Sequence, residues 1–213
     1  MARRARMGRP GGAGGWLGRR GQSLTELTLF LPLLVLLIAG LAELGFALAG
    51  YMALQDATRE AARFGADGDP CNGADVGDPA NPCDSDPTFP LDFYQQIATL
   101  FDQTFQPYRL DPALGDDLVI SAFGIQSDGA LAWRLPRNRP YGWSRYGNRT
   151  SRFSNATIKE RMGHPPSKGV LIVEVYYHHR HRLGLFRWLL PDPIPMYAVS
   201  TMPLPAAEPV TLP

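Results

Sequence analysis

The 213-residue chain carries 21 basic and 20 acidic side chains, and a formal net charge of +1 argues against a polyanionic partner for the molecule as a whole. The balance joins two unlike regions: arginine without any acid before Glu26 (Arg3, Arg4, Arg6, Arg9, Arg19, Arg20), and an acidic stretch from Asp67 to Asp92 with no Lys or Arg. The arginines directly precede a long apolar run, so the positive-inside rule explains them better than nucleic-acid binding, and what remains of the length allows one modest exported domain.

Residues 1–21, rich in Gly and Arg, read as a removable basic leader. From Leu27 the sequence LTLFLPLLVLLIAGLAELGFALAGYMAL is apolar for about 28 positions, or ~42 Å as helix against a hydrocarbon core of ~30 Å. Residues 22–66 therefore read as one helix, first membrane-spanning and then amphipathic, with Pro32 as a point of bending. Its last part, Tyr51 to Ala66, sets Asp56, Arg59, Glu60 and Arg63 at i, i+3 and i+4 spacings. Two carboxylates fall in or at the apolar run, Glu26 at its mouth and Glu43 inside it, and each is costly there without a partner.

Helical projection gathers Pro32, Leu36, Ala39, Glu43, Ala47, Gly50, Leu54, Ala57 and Ala61 within about 80° of one another, a small and polar stripe on a Leu-rich helix. Such a stripe is a helix-packing seam in which Glu43 meets a partner across the contact; the plainer alternative is that Glu43 snorkels to the outer interface.

Residues 67–90, rich in Pro, Asp, Gly and Asn, form the boundary loop, where Cys71 and Cys83 bracket NGADVGDPANP. Outside the membrane a Cys71–Cys83 disulfide would order that loop, worth ~3 kcal/mol of closure entropy, and two cysteines alone make a poor zinc site. Residues 91–213 read as a small extracytoplasmic α+β head. Leu91 to Gln106 is a helix with Phe93, Ile97, Leu100, Phe101 and Phe105 on one face, and Leu118–Phe123, Ala130–Leu135, Val170–His178 and Tyr197–Met202 are strand candidates for an antiparallel sheet. Pro136 to Lys168 reads as a long polar surface insertion. Trp133, Tyr141, Trp143 and Tyr146, interleaved with Arg134, Arg137, Arg139 and Arg145, either form a sugar- or partner-binding surface or cover the head's core.

An enzyme finds little support. His164, His178, His179 and His181 could attract a metal, but on a strand His179 and His181 share a face that His178 leaves, and no Glu stands beside them as a base. No Ser-His-Asp order, glycine-rich phosphate loop or paired-carboxylate cluster stands out, so no catalytic residue, cofactor or metal is assigned. Asn148 and Asn155 begin glycosylation-type sequons, which mark an exposed loop.

The basic leader, Gly21, Glu26 five residues later, Pro32 in the apolar run, the Gly40-x-x-Glu43-x-Gly45 stretch and the helix end Gln55-Asp56-Ala57-Thr58-Arg59-Glu60-Ala61-Ala62-Arg63 together resemble the TadE-like family of tight-adherence pilus assembly proteins. The resemblance runs from Gly21 to about Gly65 and departs from Flp-type pilins in placing Leu27, not an aromatic, after the glutamate. It implies a non-enzymatic, single-pass pseudopilin of the cell membrane, with its N-terminus cytoplasmic and its head extracytoplasmic. A prepilin peptidase would cut after Gly21, leaving the amine of Gln22 one helical turn from Glu26. Glu26 would then pair with the amine of a neighbouring subunit, and the partners would be other pilus assembly proteins and pseudopilins. The competing reading is a membrane-anchored or secreted binding domain unrelated to pili and exported by an ordinary signal, for which Ala47-Leu48-Ala49 supplies an A-x-A cleavage site.

Overall fold

The computed structural model describes residues 17–71, 91–126, 130–136, 139–154, 156–158, 168–184, 187 and 191–208. A helix α1 (Leu17–Ala66) of 50 residues, about 75 Å long, leads into a head built from α2 (Asp92–Thr104) and strands β1 (Asp117–Ile125), β2 (Leu131–Leu135), β3 (Trp143–Ser144), β4 (Lys168–His179) and β5 (Ile194–Pro203). The architecture is α+β. Pro32 lies within α1, whose helical stretch begins five residues before the sequence-based start at residue 22. Among the described residues α1 is the one helix long and apolar enough to cross a membrane.

The two ends of α1 live in different surroundings. Every residue from Leu24 to Ile38 is exposed, whereas from Ala39 onward one face is covered: Ala39, Glu43, Gly50, Leu54, Ala57, Thr58, Ala61, Ala62 and Gly65 are buried. The cover is the sheet, whose strands run antiparallel in the order β2-β1-β4-β5, with β3 paired to β1 beside β2. Period-two alternation gives each strand two sides. Leu118, Ile120 and Ala122 of β1, Leu171, Val173, Val175 and Tyr177 of β4 and Ala198 of β5 join Leu54, Ala57, Ala61 and Ala62 of α1 in the main core. Helix α2 adds Tyr94, Ile97, Ala98 and Phe101, with Phe105 just beyond its end, and Asp92 in its first turn suits the helix dipole.

The buried face of α2 is thus rotated from the one projected from Phe93 and Leu100, both of which are only half-buried. Tyr94 takes the inner position because its ring stacks on Trp143, with centroids 5.8 Å apart.

The opposite side of the sheet is also covered. Phe123, Ile125, Val170 and Ile172 pack with Phe153 and Ile158, which come from the stretch read as a polar insertion. Much of that stretch is held down by one carboxylate. Buried Asp117 accepts hydrogen bonds from the backbone N–H groups of Leu118, Tyr146, Asn148 and Arg149 and from the Ser144 hydroxyl, at 2.6–3.1 Å. A buried carboxylate with that many donors is satisfied, and it fixes the turn that delivers Trp143 to the core and carries Arg145 to Asp102, 2.6 Å away.

Cys71 is buried where the chain leaves α1, its N–H donating to Asp69 Oδ1 at 2.7 Å; Cys83 lies outside the described residues.

Close approach of α1 to the head depends on small side chains. A Cβ on Gly65 would sit 2.6 Å from both Ile97 Cδ1 and Leu171 Cδ2, while one on Gly45 would meet nothing within 4 Å. Gly65→Val is therefore expected to destabilise the full chain by about 1–3 kcal/mol through overpacking. Thermal unfolding in detergent checks this, with Gly45→Val as the comparison that shows no such loss.

Candidate functional site

The site is the junction of the membrane helix and the head. Glu43 is 3% exposed although it projects from the apolar part of α1, because the turn after β4 closes over it. Its Oε1 accepts from the backbone N–H of Arg182 at 2.6 Å and its Oε2 from that of Leu183 at 2.8 Å. His181 Nδ1 lies 3.0 Å from Oε1, and His181 Nε2 lies 3.0 Å from the Pro191 carbonyl oxygen. A carbonyl only accepts, so Nε2 carries a hydrogen. A carboxylate already receiving two amide hydrogens is best matched by a donor at Nδ1 as well. With a hydrogen on Nδ1 as well every polar group of the contact would be satisfied, and the carboxylate meets all its partners within its own chain.

Around this contact the small residues of the helix stripe let the sheet come close. Ala39 and Gly50 are buried, Ala47 is half-buried, and Ala57 and Ala61 are fully enclosed. A Cβ on Gly50 would lie 3.3 Å from His179 Nδ1 and 3.5 Å from a Tyr108 ring carbon. The remaining stripe members, Pro32 and Leu36, lie on the uncovered part of α1. Glu26 is exposed on that part too. Gly21 and Gln22 fall within the helical span of α1, and their surroundings lie outside the described ones.

The histidines diverge. His178 Nδ1 lies 2.7 Å from Asp116 Oδ1, and burial raises the Asp116 carboxyl above the usual carboxylate range despite that contact and the Asp111 amide. His179 is buried with neither ring nitrogen bonded to a described group; desolvation, then the nearby Arg182 charge, depress its pKa. His181 serves Glu43, and His164 lies outside the described residues. Among the described residues no three His, Cys, Asp or Glu side chains gather to hold a metal.

The arginine–aromatic stretch mainly supports the fold. Trp143 is buried, Trp133 Nε1–H donates to the Ala207 carbonyl at 3.2 Å, and Arg134 donates to the Phe153 carbonyl and Ser121 Oγ. Tyr141 and Tyr146 remain exposed, as does Arg139; Arg137 lies outside the described residues. On the Phe153 side of the sheet buried Glu174 Oε1 accepts from the Arg152 N–H, the Tyr176 hydroxyl and the Tyr197 hydroxyl at 2.9, 3.3 and 2.9 Å. The Arg152 guanidinium lies 4.0 Å from the Tyr197 ring centroid.

Sequence reasoning isolated Glu43 but not its partners. Its demand for a donor was legible; that His181 supplies one was not, because the two are 138 positions apart. A signal existed in the chain itself: a buried acid calls for a cation or amides, and the His/Arg run 178–182 is a concentrated supply of them.

Two outcomes follow. Glu43→Ala strands His181 and two amides and is expected to cost about 3–5 kcal/mol, with Glu43→Gln costing less because it keeps an acceptor. Hydrogen exchange should show the Arg182 and Leu183 amides losing protection while Val173, in the middle of β4, keeps it. Separately, burial and then the Glu174 charge push the Tyr176 phenol from 10.0 up to about 12, and the same two causes raise Tyr197 further. A phenol raised on folding contributes stability that is complete below pH 10 and is lost as pH climbs through 12. Ultraviolet titration of phenolate should therefore find these two tyrosines ionising late, together with a fall in the midpoint of unfolding between those pH values.

No curated protein and no solved structure matches the chain. The model of the family described as TadE-like protein matches residues 21–63, the uncovered part of α1 and most of its head-bound part. That match associates the chain with tight-adherence pili in general, and over those residues it is similar to TadE-like proteins.

Proposed function

We propose that this chain is a membrane-anchored pseudopilin that takes part in assembly of a tight-adherence, Flp-type pilus and has no enzymatic role. The observation that carries the reading is the coincidence of the family match at residues 21–63 with a helix that is bare from Leu24 to Ile38 and head-bound beyond Ala39. A bare apolar cylinder attached to a compact head suits an anchor that lies in lipid and later packs among other helices. In this reading the N-terminus is cytoplasmic, the head is extracytoplasmic, and a prepilin peptidase cleaves after Gly21. Glu26 then pairs with the Gln22 amine of a neighbouring subunit, an attraction strengthened by low dielectric. Pro32 and Leu36 face such neighbours, whereas the stripe from Ala39 to Ala61 is taken up by the head. A Cys71–Cys83 disulfide closes the loop between helix and head.

The competing reading, cleavage by signal peptidase after Ala49, meets a structural objection. It would remove Glu43 and leave His181 and the amides of Arg182 and Leu183 without their acceptor. Intact mass spectrometry of the protein from cells expressing a prepilin peptidase tests the proposal. The expected chain begins at Gln22 and is lighter by the two hydrogens a disulfide loses. A chain that begins at Gly50, or one that keeps its arginines, refutes it. Glu26→Ala is expected to leave the protein in the membrane but absent from isolated pilus assemblies.

A further inference from the structure

We infer that the membrane-proximal end of the head carries a binding site for the phosphate group of an anionic phospholipid. The inference uses the membrane-anchor reading of α1 but not the pilus reading. It starts from a cleft of about 390 Å³ at the end of β4, whose walls include Arg109, Arg180, Arg182, His178 and His179.

The charges in the cleft are unevenly matched. Its two acids are already engaged, Asp116 by His178 at 2.7 Å and Asp111 by Arg180 at 3.4 Å. The guanidinium groups of Arg109 and Arg182 make no ion pair with a described residue; both residues are exposed, and Arg182 lies 5.9 Å from the Tyr108 ring centroid. Two guanidiniums lining one cleft suit a phosphate oxygen cluster better than a single carboxylate. His179 adds a second, independent indication. It lines the same cleft, is only 1% exposed, and neither of its ring nitrogens has a partner among the described residues, an arrangement that is costly unless something accepts or donates there.

Depth along α1 selects the source of that phosphate. Glu43 stands 16 positions beyond Leu27, where the apolar run begins, about 24 Å along the helix and so near the outer edge of a hydrocarbon core of ~30 Å. The Glu43 contacts hold Arg182 at that level, and His179 sits against Gly50, seven positions or ~10 Å farther from the core. The cleft therefore straddles the boundary between the hydrocarbon core and the headgroups. Leu183, next to Arg182 and 47% exposed, offers an apolar contact at the same depth. A free anion would have no need of that placement.

The test uses the full chain in nanodiscs of phosphatidylcholine containing a minor fraction of phosphatidylglycerol, released into mild detergent, with retained lipid counted by native mass spectrometry. Wild type is expected to enrich phosphatidylglycerol on the order of tenfold over its bulk ratio. Arg109→Gln combined with Arg182→Gln should return retention to the bulk ratio. Arg59→Gln, an exposed arginine elsewhere on α1 near Asp56, should leave the enrichment unchanged. No enrichment by wild type, or enrichment that survives the double substitution, overturns the site. Inorganic phosphate in detergent that raises the unfolding temperature as much as phosphatidylglycerol does identifies a free-anion site and overturns the lipid assignment. Should the double variant fail to fold, the wild-type enrichment and the phosphate arm still decide. Failure here with a mature chain beginning at Gln22 leaves the pilus reading standing, and the reverse result separates the two in the other direction.

Discussion

A carboxylate on an apolar helix needs partners, and here they come from the turn after β4. Glu43 draws the His181 imidazole and the Arg182 and Leu183 amides onto α1, so the turn after β4 must sit at one height on the helix. That height divides α1 into a part that belongs to the head and a part that belongs to whatever surrounds it. Breaking such a contact on one side is far more costly than never forming it, because a buried charge is then left alone. Glu43 thus acts as a registry group: sliding the sheet along the helix by even one turn would move the amides about 5 Å from their acceptor.

The same device recurs through the head. Asp117 collects backbone N–H groups from the 143–149 stretch, and Glu174 gathers the Arg152 N–H with two phenols. Each acid projects from a helix or strand and pins a segment with few apolar residues of its own. A loop with little to bury gains order when a fixed carboxylate satisfies its amides. This explains how a polar stretch covers the second face of β1 and β4 with Phe153 and Ile158 as its apolar contacts there among the described residues. The consequence is that β1 is enclosed along its whole length, while β5 keeps one exposed side.

What could be read in advance follows from periodicity. The four longer strands and both helices carry apolar residues at strand or helix spacing, and the strand candidates fall inside the observed β1, β2, β4 and β5 but for Ala130, one position before β2. The small-residue stripe of α1 was read as a seam for another helix, but from Ala39 onward it is the sheet of the same chain that packs on it. The rest had no local signature. Strand β3 is two residues long, and Phe153 and Ile158 stand singly among polar neighbours. The expectation that His179 and His181 share a strand face assumed that β4 continues, but it ends at His179, which frees His181 to turn toward α1. The inner face of α2 was misjudged because Tyr94 counts as polar in a hydrophobic pattern while its ring is the natural partner of Trp143.

The division of α1 also decides which helix surface is left for other chains. Above Ala39 the small-residue side is occupied by the sheet, so close helix approach through Gly50, Ala57 or Ala61 would require the head to leave. The outward side at that level is different in kind: Leu41, Leu44, Leu48 and Met52 are all more than half exposed and recur at three- and four-residue intervals. From Leu24 to Ile38 the whole circumference is open, including Pro32 and Leu36. A helix that packs on this one at head level meets these large side chains beside exposed Gly45 and Ala49, and lower down it is free to use any face from Leu24 to Ile38. Contacts among anchors are thus constrained near the head and permissive toward the N-terminus, where Glu26 lies.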